Sequence, residues 1–145
     1  MTSATPPTPT RLGSEAVTAY EGGAIRIVVE PAFEPAHSDP AEPRYIFSYH
    51  IRITNEAPAD GARVQLLTRR WLIVDALGRD EEVTGEGVVG RLPELGPGES
   101  FEYSSWAPLR TSWGTMEGSY RFRKATGEVF TADIARFYLA AEPAS

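Results

Sequence analysis

The residues Gly85-x-Gly87-x-x-Gly90 carry the spacing of a phosphate-binding glycine motif. In such a motif the glycines let the backbone approach a pyrophosphate, and the N-terminus of a following helix holds the charge. Here the next residues are Arg91-Leu92-Pro93-Glu94-Leu95-Gly96-Pro97-Gly98. Two prolines and two glycines oppose a helix, and Glu86 sets a negative charge inside the would-be cradle. The motif reads first as a glycine-rich strand or bulge that permits close backbone approach. A phosphate- or nucleotide-ligand enzyme using Gly85, Gly87 and Gly90 is the alternative function.

Other chemistry is thinly supplied. His37 and His50 are the only histidines, and neither has a second ligand at metal spacing beside it. Asp80, Glu81, Glu82 and Glu86 could offer oxygens to a hard cation, but without a calcium-loop pattern. Weak divalent-cation binding is the most this set predicts; a solvated acidic edge explains it as well. Ser104-Ser105 lacks the flanking glycines of a nucleophile elbow, and a histidine could reach it only through tertiary folding. The expectation is no catalytic residue, no cofactor and no enzyme activity. In Arg69-Arg70-Trp71, the tryptophan fills a core and one arginine pairs with a carboxylate or stacks on a ring. Trp106, Trp113 and Met116 stand in a stretch with Pro108, Ser112 and Gly114. Large apolar groups on a loop need a core or a partner, so these three form the candidate partner surface.

These residues need a scaffold, and the dominant period is two. Ile25, Ile27 and Val29 alternate with Arg26, Val28 and Glu30. Tyr45, Phe47, Tyr49, Ile51 and Ile53 form one apolar face of a long strand. Val64–Asp75 is apolar on both faces, which suggests a central strand, and Arg69-Arg70 interrupts its alternation as a bulge would. Asp80–Thr84, Ser100–Trp106, Gly118–Lys124 and Val129–Leu139 complete the set. No helix-period segment of useful length intervenes. Seven to eight strands separated by turn signals predict an all-β sandwich of immunoglobulin or fibronectin type III kind, with a small barrel as the structural alternative. Residues 1–22 read as a flexible proline-rich lead, 23–140 as the domain and 141–145 as a flexible tail.

Composition sets outer bounds. The chain has 145 residues, the size of one domain. It lacks cysteine, which excludes disulfides, thiolate metal sites and cysteine nucleophiles. A net charge of −6 repels phosphate backbones, so no nucleic-acid partner is expected. No apolar run approaches the ~20 residues of a membrane helix, and the start lacks the pattern of a signal peptide. The expected location is the cytoplasm.

Several runs together resemble the ApaG family, the domain of unknown function numbered 525. They are Ser38-Asp39-Pro40, Tyr45–Asn55, Val64–Ile73, Val83–Gly90, Leu95–Ser105 and Gly114–Tyr120. The resemblance spans about residues 24 to 139, in order. Trp106 departs from it, standing where bacterial members often have glycine, and the loop from Ala57 to Ala62 is longer than usual. The resemblance implies a fibronectin type III-like sandwich. It implies an association with cobalt resistance and magnesium efflux, and a domain that recurs in eukaryotic F-box and polymerase-interacting proteins as an interaction module. It also implies a phosphate-binding view of the glycine motif. The resulting expectation is a non-enzymatic ApaG-domain protein tied to divalent-cation homeostasis through a protein partner.

Overall fold

The computed structural model describes residues 12–141. Among the described residues nine strands run in chain order: β1 Ser14–Tyr20, β2 Gly23–Phe33, β3 Tyr45–Asn55, β4 Val64–Asp75, β5 Asp80–Glu86, β6 Glu94–Leu95, β7 Ser100–Leu109, β8 Trp113–Lys124 and β9 Val129–Ala140. The helical content described is one 3-10 turn at Pro35–His37. Two antiparallel sheets stack face to face. One has the order β1-β2-β3-β7; the other has the order β5-β4-β8-β9, with β6 also pairing β4. The architecture is a β-sandwich rather than a barrel.

The period-two pattern explains the layers. Ile27 and Val29 of β2 pair Ile53 and Ile51 of β3, Ile25 and Phe47 share their face, and all are buried. Leu66, Trp71, Tyr120, Phe122, Ile134 and Phe137 answer from the other sheet. Each large side chain so buried contributes roughly 1.5–3 kcal/mol. Asn55 is the buried polar exception. Its Oδ1 accepts from the Tyr20 hydroxyl at 2.7 Å, and its Nδ2 donates to the carbonyls of Ala62 and Leu95, each at 3.0 Å. With its side-chain groups paired, its burial carries little penalty.

Three sequence expectations are corrected. The lead does not extend to residue 22: Ser14–Tyr20 pairs along its whole length with Val29–Gly23. Its own apolar alternation is weak, and the pairing with β2 orders it. Ala141 is likewise held, donating to the Ser112 carbonyl at 2.8 Å. Residues 1–11 and 142–145, the rest of the expected lead and tail, lie outside the described residues. Third, the stretch from Trp106 to Met116 is not a loop. β7 continues through Leu109 and β8 begins at Trp113, so a three-residue turn joins them. Tyr103, Ala107 and Leu109 are buried while Glu102, Ser104, Trp106 and Pro108 face out, so alternation persists through the proline. An edge strand tolerates proline because its outward N–H is not needed for a ladder.

The bulge expected in β4 is present. Leu66 pairs Phe122 and Thr68 pairs Arg121, so Leu67 is the extra residue. It reverses the parity of everything after it. Val64 and Leu66 face the core before the bulge; Arg69, Trp71 and Ile73 share the inner face after it. Arg69 sits in register with Gly85 on one side and the buried Tyr120 on the other. Directly paired residues share a face, so this arginine points between the sheets.

Candidate functional site

The free edges of β5 and β7 stand on the same flank of the sandwich. Between them opens a cleft of about 490 Å³. Its floor includes Trp71, Ile73, Val83, Val88 and Met116, and Trp106 and Val89 stand at its mouth. Arg69, Tyr49, Tyr103 and Ser105 bring polar groups into it.

Arg69 ties the cleft to the glycine motif. Its Nη1 donates to the carbonyls of Glu86 at 3.0 Å and Gly87 at 2.8 Å. A Cβ on Gly85 would lie 2.7–2.8 Å from the guanidinium, so glycine leaves the space that this group fills. The Gly87 amide donates to the carbonyl of Leu67, the bulge residue, at 2.9 Å. Val88 and Arg91 then exchange amide-to-carbonyl bonds at 2.9 and 2.8 Å around Val89 and Gly90. Both central residues have positive φ, 43° and 77°, as in a type I′ turn. The structure thus brings Gly85, Gly87 and Gly90 together, but as the seat of an arginine and a tight turn. The amides of Gly87 and Val88 already have partners, and no helix follows.

Three tyrosine hydroxyls line up behind Arg69. Tyr103 and Tyr120 share a hydrogen bond of 2.5 Å. Burial raises the pKa of Tyr49, and Ser105 at its hydroxyl only partly opposes this. Burial pushes Tyr103 and Tyr120 higher still, with Arg69 opposing only weakly. All three are neutral hydroxyls near neutral pH. The site is one guanidinium and several neutral donors set in an apolar cleft.

The sequence-proposed partner residues separate. Trp106 is 50% exposed on the outer face of β7, with the His37 ring edge-on at 5.0 Å. Trp113 is 48% exposed but lies on the other sheet, beside Leu12 and Tyr138. Met116 is 1% exposed: it alternates inward with Tyr120 and belongs to the core and the cleft floor, not to an outer surface. The three do not form one patch.

The folding also aligns a set that spacing could not show. His50 lies opposite Ser104, and its Nδ1 is 3.0 Å from the Ser104 Oγ. Its Nε2 is 2.7 Å from a Glu102 carboxylate oxygen. The bond to His50 holds the Glu102 pKa low, with Arg52 assisting. The order resembles a hydrolytic triad. It lies, however, on the exposed outer face of a flat sheet, outside the cleft. The arrangement reads as a cross-strand polar ladder. Asp80, Glu81 and Glu82 form the expected acidic edge on β5, with Glu82 bound to Arg70 at 2.6 Å. Among the described residues no group of three or more His, Asp or Glu side chains converges as metal ligands.

Sequence reasoning placed Trp71 in the core but missed the cleft. The available signal was the broken alternation at Arg69-Arg70, which a one-residue bulge turns into an inward arginine.

Fold and cleft define a fibronectin type III-like β-sandwich with one unsealed edge. Residues 35–124 match the family model described as DUF525, the ApaG domain. The chain belongs to the ApaG family. It is 50% identical over 115 residues to a protein ApaG of Methylobacterium nodulans, covering 79% of this chain and 86% of that protein. It is 48% identical over 117 residues to a protein ApaG of Anaeromyxobacter dehalogenans, covering 79% and 88%. Among solved structures, a crystal structure described as the putative ApaA protein of Bordetella pertussis superposes with a TM-score of 0.76. That match has 43% identity and covers 80% of this chain and 92% of that one.

Proposed function

We propose that this ApaG-family protein is a non-catalytic binding protein that works through contact with another protein, in the service of cobalt and magnesium homeostasis. The observation that carries the reading is Trp106, half-exposed on a free edge strand at the mouth of an apolar cleft. Half-exposed aromatic side chains of this kind are typical interface anchors. The tie to cation homeostasis rests on the family resemblance. Among the described residues no helix is long and apolar enough to cross a membrane, so the reading has the chain act on ion movement through its partner. The nucleotide alternative at Gly85, Gly87 and Gly90 is less well supported, because two of the amides it would use are already bonded.

The test uses the full chain as bait in lysate of the native cell. A partner held by the wild type and by Trp113→Ala should fall about tenfold or more with Trp106→Ala, the loss of a typical hot spot. Equal capture by Trp106→Ala removes the proposed surface. Calorimetry with cobalt and magnesium chloride supplies the second arm: a stoichiometric sub-micromolar site would replace the indirect role with direct metal binding.

A further inference from the structure

We propose that the cleft between β5 and β7 is a binding site for a monocarboxylate with an apolar body, its carboxylate held by Arg69 and by the hydroxyls of Tyr49 and Tyr103. The inference does not depend on the protein partner proposed above.

The first support is the state of Arg69. A guanidinium has five N–H donors. Here Nη1 serves two carbonyls, and the remaining donors have no bonded partner among the described residues. Arg69 also appears in none of the ion pairs among the described residues, whereas Arg70, its neighbour on the outer face, is paired with Glu82. The Arg69 side chain is half-buried on the inner face of a sheet. Its free donors face the cleft, where an arriving anion would form charge-assisted hydrogen bonds with them. The planar fork of arginine matches the two oxygens of a carboxylate.

The second support is a hydrogen count. The Tyr103 and Tyr120 hydroxyls hold two hydrogens and form one bond between them. Neither oxygen has another partner among the described residues. One hydrogen is left to donate, and Tyr103 borders the cleft. Because burial keeps these phenols neutral, that hydrogen is retained and available to an acceptor in the cleft.

Shape and rim charge narrow the ligand class. At about 490 Å³ the cleft lies within the ordinary range of small-ligand sites. Trp71, Ile73, Val83 and Met116 offer an apolar surface for a ring or short chain. Glu81 and Glu86 also border it. Two rim carboxylates oppose a polyphosphate but tolerate a single negative charge met by Arg69. A backbone outlier points to the same place. Val89, β-branched and half-exposed, is held at positive φ at the cleft mouth. Such strain is characteristic of ligand-contacting loops.

A free organic acid and the C-terminal carboxylate of a peptide present this same chemistry. The experiment is an amide-proton NMR titration of the full chain with phenylacetate, phenylacetamide, inorganic phosphate, and the tripeptide Gly-Gly-Phe in free-acid and amidated forms. Phenylacetate should bind with a Kd of about 1 mM or tighter, the scale of a good fragment. Its shifts should centre on Val88, Tyr103 and the Trp106 indole. Phenylacetamide should bind about tenfold more weakly, having lost the charge-assisted bonds. A tighter fit of phenylacetate than of the tripeptide identifies a free acid as the natural source, and the reverse identifies a chain terminus. Arg69→Met should abolish the preference for acid over amide. Because Arg69 also holds the glycine loop, Tyr103→Phe provides the second variant, with the ring kept and affinity for phenylacetate several-fold lower. Equal binding of acid and amide, stronger binding of phosphate, or shifts confined to the Trp113 side overturns the proposal. Weaker phenylacetate binding by Tyr103→Phe with protein capture unchanged would separate the two readings.

Discussion

The two flanks of this sandwich are built to opposite specifications. On one, β1 keeps its full pairing with β2 and also bonds to β9, the edge strand of the other sheet. Ser14 Oγ donates to the Ala135 carbonyl at 2.7 Å, the Asp133 amide donates to Thr18 Oγ1 at 3.1 Å, and the Tyr138 amide donates to the Leu12 carbonyl at 2.9 Å. Tyr20 stacks on Phe130 with centroids 4.6 Å apart. Two small hydroxyls, a backbone bond and a pair of stacked rings stitch that seam. On the other flank, β5 and β7 belong to different sheets, and among the described residues no backbone bond joins them. There the molecule places an inward arginine without a carboxylate, a bulge, and a turn through a strained valine. The closed flank uses groups that satisfy one another; the open flank keeps groups that do not. The difference teaches where binding capacity resides, since groups already satisfied have nothing to offer a ligand.

The contrast is broken most severely at Gly87. A Cβ there would lie 2.3 Å from the Arg91 carbonyl, and φ is +65°. Gly87→Val should cost about 3 kcal/mol or more, since backbone overlap adds to the strain of a β-branched residue in this region. Urea unfolding measures it. The open flank then counts as structurally exacting, even though it is unsealed. A cost near zero would show a loop free to rearrange and would undo the account of Arg69's seat.

The closed flank should give way in smaller steps. Ser14→Ala removes one bond to Ala135 and should cost about 1 kcal/mol. Faster amide exchange should follow along β1 and in the facing part of β9, while Val88 and Arg91 stay protected. Exchange spreading equally to both flanks would mean the two seams are not independent units.

Much of this asymmetry was hidden from the sequence for identifiable reasons. The interior was legible: Phe47, Ile51, Trp71, Phe122 and Phe137 follow the alternation of their strands, and burial obeys it. The bulge in β4 was legible as a break at Arg69-Arg70, but not its position at Leu67, and one residue decides which arginine turns inward. β1 lay inside the expected lead, because the alternation of Ser14–Tyr20 is weak and its pairing with β2 orders it. The Ser104–His50–Glu102 alignment depends on the β3–β7 register, which strand patterns alone do not supply. Ser100–Trp106 was legible as a strand but its continuation to Leu109 was not, since an edge strand carries a proline without ending.

Val89 offers the finest discrimination between the flanks. Val88-Val89-Gly90-Arg91 closes on itself with reciprocal bonds and positive φ at both central positions. Asn-Gly suits that geometry, whereas valine crowds its own backbone there. Its side chain is half-exposed, so little burial offsets the strain. Val89→Asn should therefore stabilise the protein by about 0.5–1 kcal/mol, raising Tm by a few degrees, roughly 2–4 °C. A change that gains stability by relaxing a local conformation, while removing an apolar contact from the cleft mouth, should also weaken phenylacetate binding. Calorimetric melting and the acid titration on the same variant give both readings. Higher Tm with weaker binding marks the valine as strain retained for contact with a ligand. A lower Tm would show that the isopropyl group packs well enough to outweigh its backbone, and the open flank would then have no conformational strain to set against the closed one.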